Sequence, residues 1–208
     1  MNRALEKLAV SAPRILDRPI TDREADAFGK YLELLLKWQR SQRLIGSTDP
    51  EWIVENLFLD SLLFLRVLPS AVRSVADLGS GAGLPGLPIK IVRPDLSVTL
   101  IESRERRVSF LSAVVRELAL AEVRVVSTRA EDVVVDRGEA FGAVLLRCAG
   151  DLDDIVPVAQ RLVGPGGVVI ASGPPRKRPL TEGHWVEVEG VQPGRVRRFA
   201  VFPPPTQS

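Results

Sequence analysis

The sequence predicts an α/β fold: a doubly wound, mostly parallel sheet of seven strands, finished by an antiparallel pair and preceded by an N-terminal helical extension. Three observations carry that expectation. From Ser74 onward, short β-rich runs alternate with helix-length segments, and parallel strands require such crossovers. The last two β-rich runs are separated only by Gln192-Pro193-Gly194-Arg195, a turn that suits antiparallel neighbours. The first seventy residues read as helical, with apolar stripes that need something to pack against. Residues 1–70 are therefore expected to form an extension packed on a core domain that occupies residues 71–208.

In chain order, Thr21-Asp22-Arg23-Glu24 fits a capping box. Ala25, Phe28, Leu32, Leu35 and Leu36 then recur at helical spacing until about Trp38. Asp49-Pro50 reads as an N-cap followed by proline at the first helical position, opening a helix that runs to about Leu68 and stops at Pro69. Strands are expected at Ser74–Leu78, Ser97–Glu102, Val123–Ser127, Phe141–Arg147 and Gly167–Ala171, and the final pair at Trp185–Val191 and Val196–Phe202. Between them, Pro85–Val92, Arg104–Leu118 and Leu152–Leu162 read as helices. The Gly173–Pro179 stretch reads as a mobile loop.

Composition removes several classes of function. With 208 residues, 45% of them hydrophobic, the chain can bury one core and is not intrinsically disordered. The most apolar window, Leu57 to Leu68, is broken by Asp60, Ser61 and Arg66, so no membrane-spanning helix is expected. The start carries no apolar block of secretory type, and the expected location is cytoplasmic. One cysteine and one histidine build neither an internal disulfide nor a zinc site of the usual kind. Net charge is only +2, from 28 Lys and Arg against 26 Asp and Glu. Toward the end the chain is locally basic, with Arg176, Lys177, Arg178, Arg195, Arg197 and Arg198 facing only Glu182, Glu187 and Glu189.

The most informative stretch is Val75-Ala76-Asp77-Leu78-Gly79-Ser80-Gly81-Ala82-Gly83-Leu84-Pro85-Gly86. It follows an expected strand and opens an expected helix, where glycines permit unusual backbone angles and close approach of a ligand. Glu102 ends the next strand, where its carboxylate suits ribose hydroxyls. Together these point to an adenosine-containing cofactor. Gly81-Ala82-Gly83-Leu84-Pro85-Gly86 satisfies the dinucleotide pattern, which keeps an NAD-dependent oxidoreductase open as an alternative. Asp77 argues the other way: a carboxylate there repels a pyrophosphate but suits the ammonium of S-adenosylmethionine, and the antiparallel final pair favours the methyl donor too. Thr128-Arg129-Ala130-Glu131-Asp132, just past the third strand, offers a second contact for the adenine edge.

The run Leu78-Gly79-Ser80-Gly81-Ala82-Gly83-Leu84-Pro85-Gly86-Leu87-Pro88-Ile89, with Ile91-Val92-Arg93-Pro94, resembles the signature of the RsmG (GidB) family. Those are bacterial S-adenosylmethionine-dependent methyltransferases of 16S ribosomal RNA that act at a guanine N(7). The similarity extends to Lys37-Trp38, Asp49-Pro50 and Leu59-Asp60-Ser61 upstream. Downstream it takes in Arg106-Arg107-Val108, Phe110-Leu111 and Arg129-Ala130-Glu131. The resemblance implies a class I methyltransferase (Rossmann-like) fold and S-adenosyl-L-methionine as cofactor. It implies cofactor contacts at Gly79, Leu84, Ala130, Glu131 and Arg147, beside Asp77, Gly81, Gly83 and Glu102 of the glycine turn and its acid. It also implies 16S rRNA or the 30S subunit as partner, with no membrane and no obligate protein partner. Departures fall on the acceptor side: Arg43 and Ile45 in place of the family's Asn and Thr, Asn56-Leu57 in place of Arg-His, and Ser172 in place of Lys. A relative that binds the donor but methylates another substrate, or none, is a further alternative.

Methyl transfer to a guanine N(7), which has a free lone pair and no proton to lose, needs alignment more than acid–base chemistry. No catalytic residue in the acid–base sense is therefore expected, and Arg147 is the candidate for positioning donor or acceptor. RNA phosphates would be met by Arg104, Arg106, Arg107 and the Arg176-Lys177-Arg178 loop, for each of which a solvated surface is the competing reading. Cys148 is expected to be a buried core residue, and Trp38 and Trp52 to be core side chains of their helices.

Overall fold

The computed structural model describes residues 2–133, 140–147, 151–173 and 179–204. Cys148, Arg176, Lys177 and Arg178 lie outside the described residues. The strands are β1 (Ser74–Leu78), β2 (Ser97–Glu102), β3 (Val123–Ser127), β4 (Phe141–Leu146), β5 (Val163–Ser172), β6 (His184–Glu189) and β7 (Val196–Phe202). They pair in the order β3-β2-β1-β4-β5-β7-β6. The first five are mutually parallel, β7 runs antiparallel to β5, and β6 antiparallel to β7. Chain order reverses at β1 and β4, which makes the carboxyl ends of these two strands the switch point where doubly wound sheets bind ligands.

The helices are α1 (Asn2–Leu16), α2 (Asp22–Gln42), α3 (Pro50–Ile53), α4 (Asp60–Leu62), α5 (Gly86–Val92), α6 (Glu105–Glu117) and α7 (Leu152–Gln160). A π-helical stretch (Val54–Leu59) joins α3 to α4, and a 3₁₀ turn (Leu63–Arg66) follows α4. The Thr21–Glu24 capping box forms at the start of α2, and the Asp49 side chain caps α3 through the Glu51 amide. Among the described residues, no helix is long and apolar enough to cross a membrane.

One continuous core joins the helical segments to the sheet. Ala4, Leu8, Ala12 and Ile15 of α1, Phe28, Leu32 and Leu35 of α2, and Phe58, Leu59 and Leu62 pack in the same cluster as Leu87, Leu100 and Leu145. Aromatic rings make the seam: Trp38 meets Phe110 edge-on at 5.7 Å, and Phe64 meets Phe199 edge-on at 4.7 Å. Each fully buried ring or branched chain contributes about 1.5–3 kcal/mol, so the extension is held as firmly as a core layer.

Helix α1 falls within the predicted helical extension, for which the sequence sets no bounds, whereas the single helix expected from Asp49-Pro50 to about Leu68 is broken into α3, the π-helical stretch, α4 and a 3₁₀ turn ending at Arg66, and other elements differ at their ends. Helix α1 lacks a cap signal and contains Pro13, yet its residues at positions 4, 8, 12 and 15 line one face and bury. Helix α2 runs four residues past Trp38, to a left-handed Arg43. Strand β5 starts at Val163 because the Gly164–Gly167 segment is carried as an irregularity: Phe141 pairs with Val163 but Ala143 with Val168. Strand β6 ends at Glu189 because the Gly190 amide turns to the Arg195 carbonyl, 2.6 Å away. Trp38 is half-buried as a helix side chain should be, whereas Trp52 is 40% exposed: it lies on the solvent side of α3, while Ile53 fills the core.

Candidate functional site

Strand β1 delivers Asp77 and Leu78 to the switch point, and the chain then turns through Gly79, Gly81 and Gly83 at φ of 73°, 58° and 87°. A side chain at Gly83 is blocked as well as strained, because its Cβ would lie 2.2 Å from Leu87 Cδ1. The turn is pinned from below: the amides of Gly79 and Ser80 both donate to the Ile101 carbonyl, at 2.9 and 3.0 Å. From above, the Tyr31 hydroxyl of α2 donates to the Ala82 carbonyl. Tyr31 is wholly buried, and burial, followed by the charge of Asp77, raises its pKa well above the ordinary value, so it remains a donor.

Asp77 is completely buried. Its Oδ2 accepts from the amide of Gly86, the first residue of α5, at 2.8 Å, while Oδ1 has no hydrogen-bond partner among the described residues. Burial pushes its carboxyl up to about 7, against the pull of the Gly86 amide and of Arg147. This geometry bears directly on the dinucleotide alternative. In that motif a pyrophosphate sits on the amides at the helix N terminus. Here the helix-opening amide is already bonded to a carboxylate, and a negative ligand would face negative charge.

Glu102, at the end of β2, is 5% exposed. Its Oε1 accepts from the Arg104 amide at 2.9 Å, and its Oε2 from the Gly81 amide at 3.0 Å and Arg107 Nη1 at 3.4 Å. A carboxylate has about four acceptor sites. Three are engaged here, one of them weakly, which leaves capacity for a hydroxyl pair.

An open cleft of about 580 Å³ lies over these strand ends, lined by residues that include Gly79, Glu102, Arg104, Ala130, Glu131 and Ile155. It brings together four of the predicted cofactor positions: Gly79, Glu102, Ala130 and Glu131. Gly81 donates its amide to Glu102, and Gly83, Leu84 and Asp77 are buried and are not among the residues that line the cleft. Arg147 stands one residue beyond β4, on the other side of β1. Its Nη2 donates to the Asn56 carbonyl at 2.8 Å and approaches Asp60 Oδ2 at 3.3 Å. Of the predicted RNA contacts, Arg104 lines the cleft, Arg106 is exposed, and Arg107 is half-buried against Glu102. On the acceptor side, Arg43 and Asn56 are exposed, Ile45 and Ser172 are half-buried, and Leu57 is buried.

The sequence assigns no role at the site to three participants, although Asp60 belongs to the Leu59-Asp60-Ser61 similarity and Arg197 to the basic tail. Tyr31 is the only tyrosine in the chain and lies within an ordinary helical stripe. Asp60 and Arg197 form an ion pair across 137 positions, Asp60 Oδ1 lying 2.9 Å from Arg197 Nε. Among the described residues, no group of three or more His, Cys, Asp and Glu is arranged to hold a metal ion.

Comparison with known proteins gives a consistent result. Residues 24–177 match the GidB family, rRNA small subunit methyltransferase G. A ribosomal RNA small subunit methyltransferase G of Sorangium cellulosum is 42% identical over 164 residues, covering 76% of this chain and 68% of that protein. A protein of the same name from Xanthomonas campestris is 39% identical over 142 residues, covering 68% of this chain and 65% of its own length. The matched part thus spans about two thirds of these relatives. Among solved structures, the Pyrococcus horikoshii protein PH0793 superposes with a TM-score of 0.51 at 16% identity, covering 69% of this chain and 62% of that one, a likeness of fold.

Proposed function

This chain belongs to the GidB family of rRNA small subunit methyltransferase G proteins, and from that premise we propose that it transfers a methyl group from S-adenosylmethionine to 16S ribosomal RNA, at a guanine N(7). The observation that carries this reading is the buried Asp77 on the opening amide of α5, in the same strand end that supplies Leu78 and Gly79 to the cleft containing Glu102. It disfavours a dinucleotide phosphate and favours a cationic adenosyl compound. The unpartnered Asp77 Oδ1 is a buried acceptor that such a positive charge would compensate.

In the cleft, Glu102 would take the ribose hydroxyls and the Ala130-Glu131 segment the adenine edge. Asp77 would hold the positive charge through the turn, and Arg147 would position donor or acceptor at the switch point. S-adenosylmethionine supplies an electrophilic methyl on a sulfonium. The guanine N(7) lone pair forms the new N–C bond as the S–C bond breaks, and the electron pair stays on sulfur. No proton has to leave N(7), so the protein's task is alignment, which can supply roughly 7–11 kcal/mol in well-oriented models. Arg104 and Arg106, with Arg176, Lys177 and Arg178, are the proposed phosphate contacts.

Tritiated methyl transfer to 30S subunits that lack the modification tests this directly. Incorporation that maps to a guanine N(7) of 16S rRNA is the expected result. No incorporation by a protein that binds the donor in calorimetry would overturn the rRNA assignment in favour of a relative with another acceptor.

A further inference from the structure

Leu59-Asp60-Ser61 is a motif without an assigned task, and the structure places its carboxylate between two arginines that are distant from it in sequence, Arg147 just past β4 and Arg197 in β7. Arg147 approaches Asp60 Oδ2 through Nε and Nη2, at 3.4 and 3.3 Å. Arg197 pairs with Oδ1 through Nε at 2.9 Å and reaches Oδ2 through Nη2 at 3.3 Å. Both arginines lie at the carboxyl edge of the sheet. Leu146 pairs with Leu78 of β1, and Arg147 follows it. Ser172, the last residue of β5, pairs with Phe199, and Arg197 lies two residues beyond that register. Its Nη1 donates to the Gly173 carbonyl at 3.2 Å, and its guanidinium carbon lies 5.8 Å from the Phe199 ring centroid.

The backbone that carries Asp60 is itself unusual. The Val54–Leu59 stretch is π-helical, a form that concentrates at functional sites, and its Asn56 carbonyl accepts from Arg147 Nη2 at 2.8 Å. Asp60 and Asn56 therefore hold one edge of the Arg147 guanidinium, and no described residue accepts from its Nη1. The trio of one carboxylate and two guanidiniums carries a net charge of +1. It covers the β4–β5–β7 side of the switch point, whereas the 580 Å³ cleft covers the β1–β2–β3 side. A donor in the cleft leaves the arginine side for the acceptor.

We propose that Asp60 is a positioning residue for methyl transfer, holding Arg147 and Arg197 in the orientation that receives the acceptor RNA strand at the switch point. The inference rests on the methyltransferase reading. Asp60 acts through the two arginines and does not touch the reacting atoms. Its removal raises the local charge by one, which strengthens attraction to RNA while releasing the guanidiniums from their set geometry. Turnover and RNA affinity should therefore move independently.

The test is steady-state methyl transfer to unmodified 30S subunits by Asp60→Asn and Asp60→Glu, with donor affinity from calorimetry. Asp60→Asn is expected to lower kcat at least tenfold, with KM for the subunit unchanged or reduced and donor Kd within threefold of wild type. Asp60→Glu, which keeps the charge, should recover kcat to within threefold. A kcat within twofold of wild type for Asp60→Asn, or a loss shared equally with donor binding, overturns the proposal. If Asp60→Asn does not fold, Arg197→Gln serves instead and should lower kcat at least threefold at constant donor Kd; an unchanged kcat overturns the proposal. A wild-type protein that transfers nothing to 30S subunits removes the proposed function. The affinity of Asp60→Asn for a 16S rRNA fragment then decides: equal or tighter binding supports the positioning role, and weaker binding overturns it.

Discussion

Replacing Asp77 with Asn removes a charge that the fold keeps entirely out of water. In the folded protein burial holds this carboxyl near 7, against an ordinary value of 3.8. Between those two values the native state binds one more proton than the unfolded chain, so stability falls as pH rises through the window. At about 1.4 kcal/mol per pH unit the whole interval amounts to about 4 kcal/mol. About 2–3 kcal/mol of that falls between pH 5 and pH 8, and the rest is already lost by pH 5, where unfolded aspartate is ionised. Asp77→Asn has no such proton to lose. Its Oδ1 can still accept from the Gly86 amide, while its NH₂ group enters a position where Asp77 has no partner, at a cost of about 1–3 kcal/mol. The variant should therefore lie within about 2 kcal/mol of wild type at pH 5, gain about 2–3 kcal/mol on it between pH 5 and pH 8, and be the more stable of the two by pH 8. Urea unfolding at the two pH values and constant ionic strength measures this directly. The depressed carboxyls of Glu24, Glu55 and Asp95 titrate below this window and cancel in the comparison. Parallel stability curves for wild type and variant would refute the assignment of a costly buried charge at Asp77.

The same charge should govern the donor. S-adenosylmethionine affinity, followed by calorimetry, is expected to weaken as pH falls below about 7, by up to tenfold per pH unit, because a cationic ligand must then displace a proton from Asp77. Glu102→Gln should weaken donor binding by about 1–3 kcal/mol, the effect of spoiling a hydrogen bond to a charged acceptor, and unchanged affinity would remove Glu102 from the ribose contact. Tyr31→Phe leaves the buried Ala82 carbonyl without its donor and should cost about 1–3 kcal/mol in chemical denaturation; an unaltered midpoint would show that the α2 tether carries no load.

The parts of this fold written locally are visible in the residues themselves. Strands such as Ser97–Glu102 and Val123–Ser127 are β-branched runs bounded by turn residues, and the glycine turn with Glu102 needs only a strand–turn–helix context. The first seventy residues read as helical, but the bounds of α1 escape such a reading because its buried face includes the small residues Ala4 and Ala12, and Pro13 interrupts the pattern. The early start of β5 is hidden by Gly164-Pro165-Gly166-Gly167, which looks like a loop and is carried by pairing with β4. Trp52 looks like a core side chain by helical position alone, and only the packing around Ile53 turns it outward. At the site, the hydroxyl of Tyr31 reaches Ala82 across 51 positions and Asp60 reaches Arg147 across 87. Those contacts exist only once the helical extension lies on the sheet, so no local pattern encodes them.

The proposed function requires the cleft at the ends of β1, β2 and β3 to hold an adenosyl compound by its sugar. A crystal structure with S-adenosylmethionine bound tests it most directly. Both ribose hydroxyls are expected within hydrogen-bond distance of the Glu102 carboxylate, with the adenine edge against Ala130 and Glu131. Density for the ligand elsewhere on the molecule, with the Glu102 carboxylate still bonded to Gly81, Arg104 and Arg107 and to no ribose hydroxyl, would rule this out.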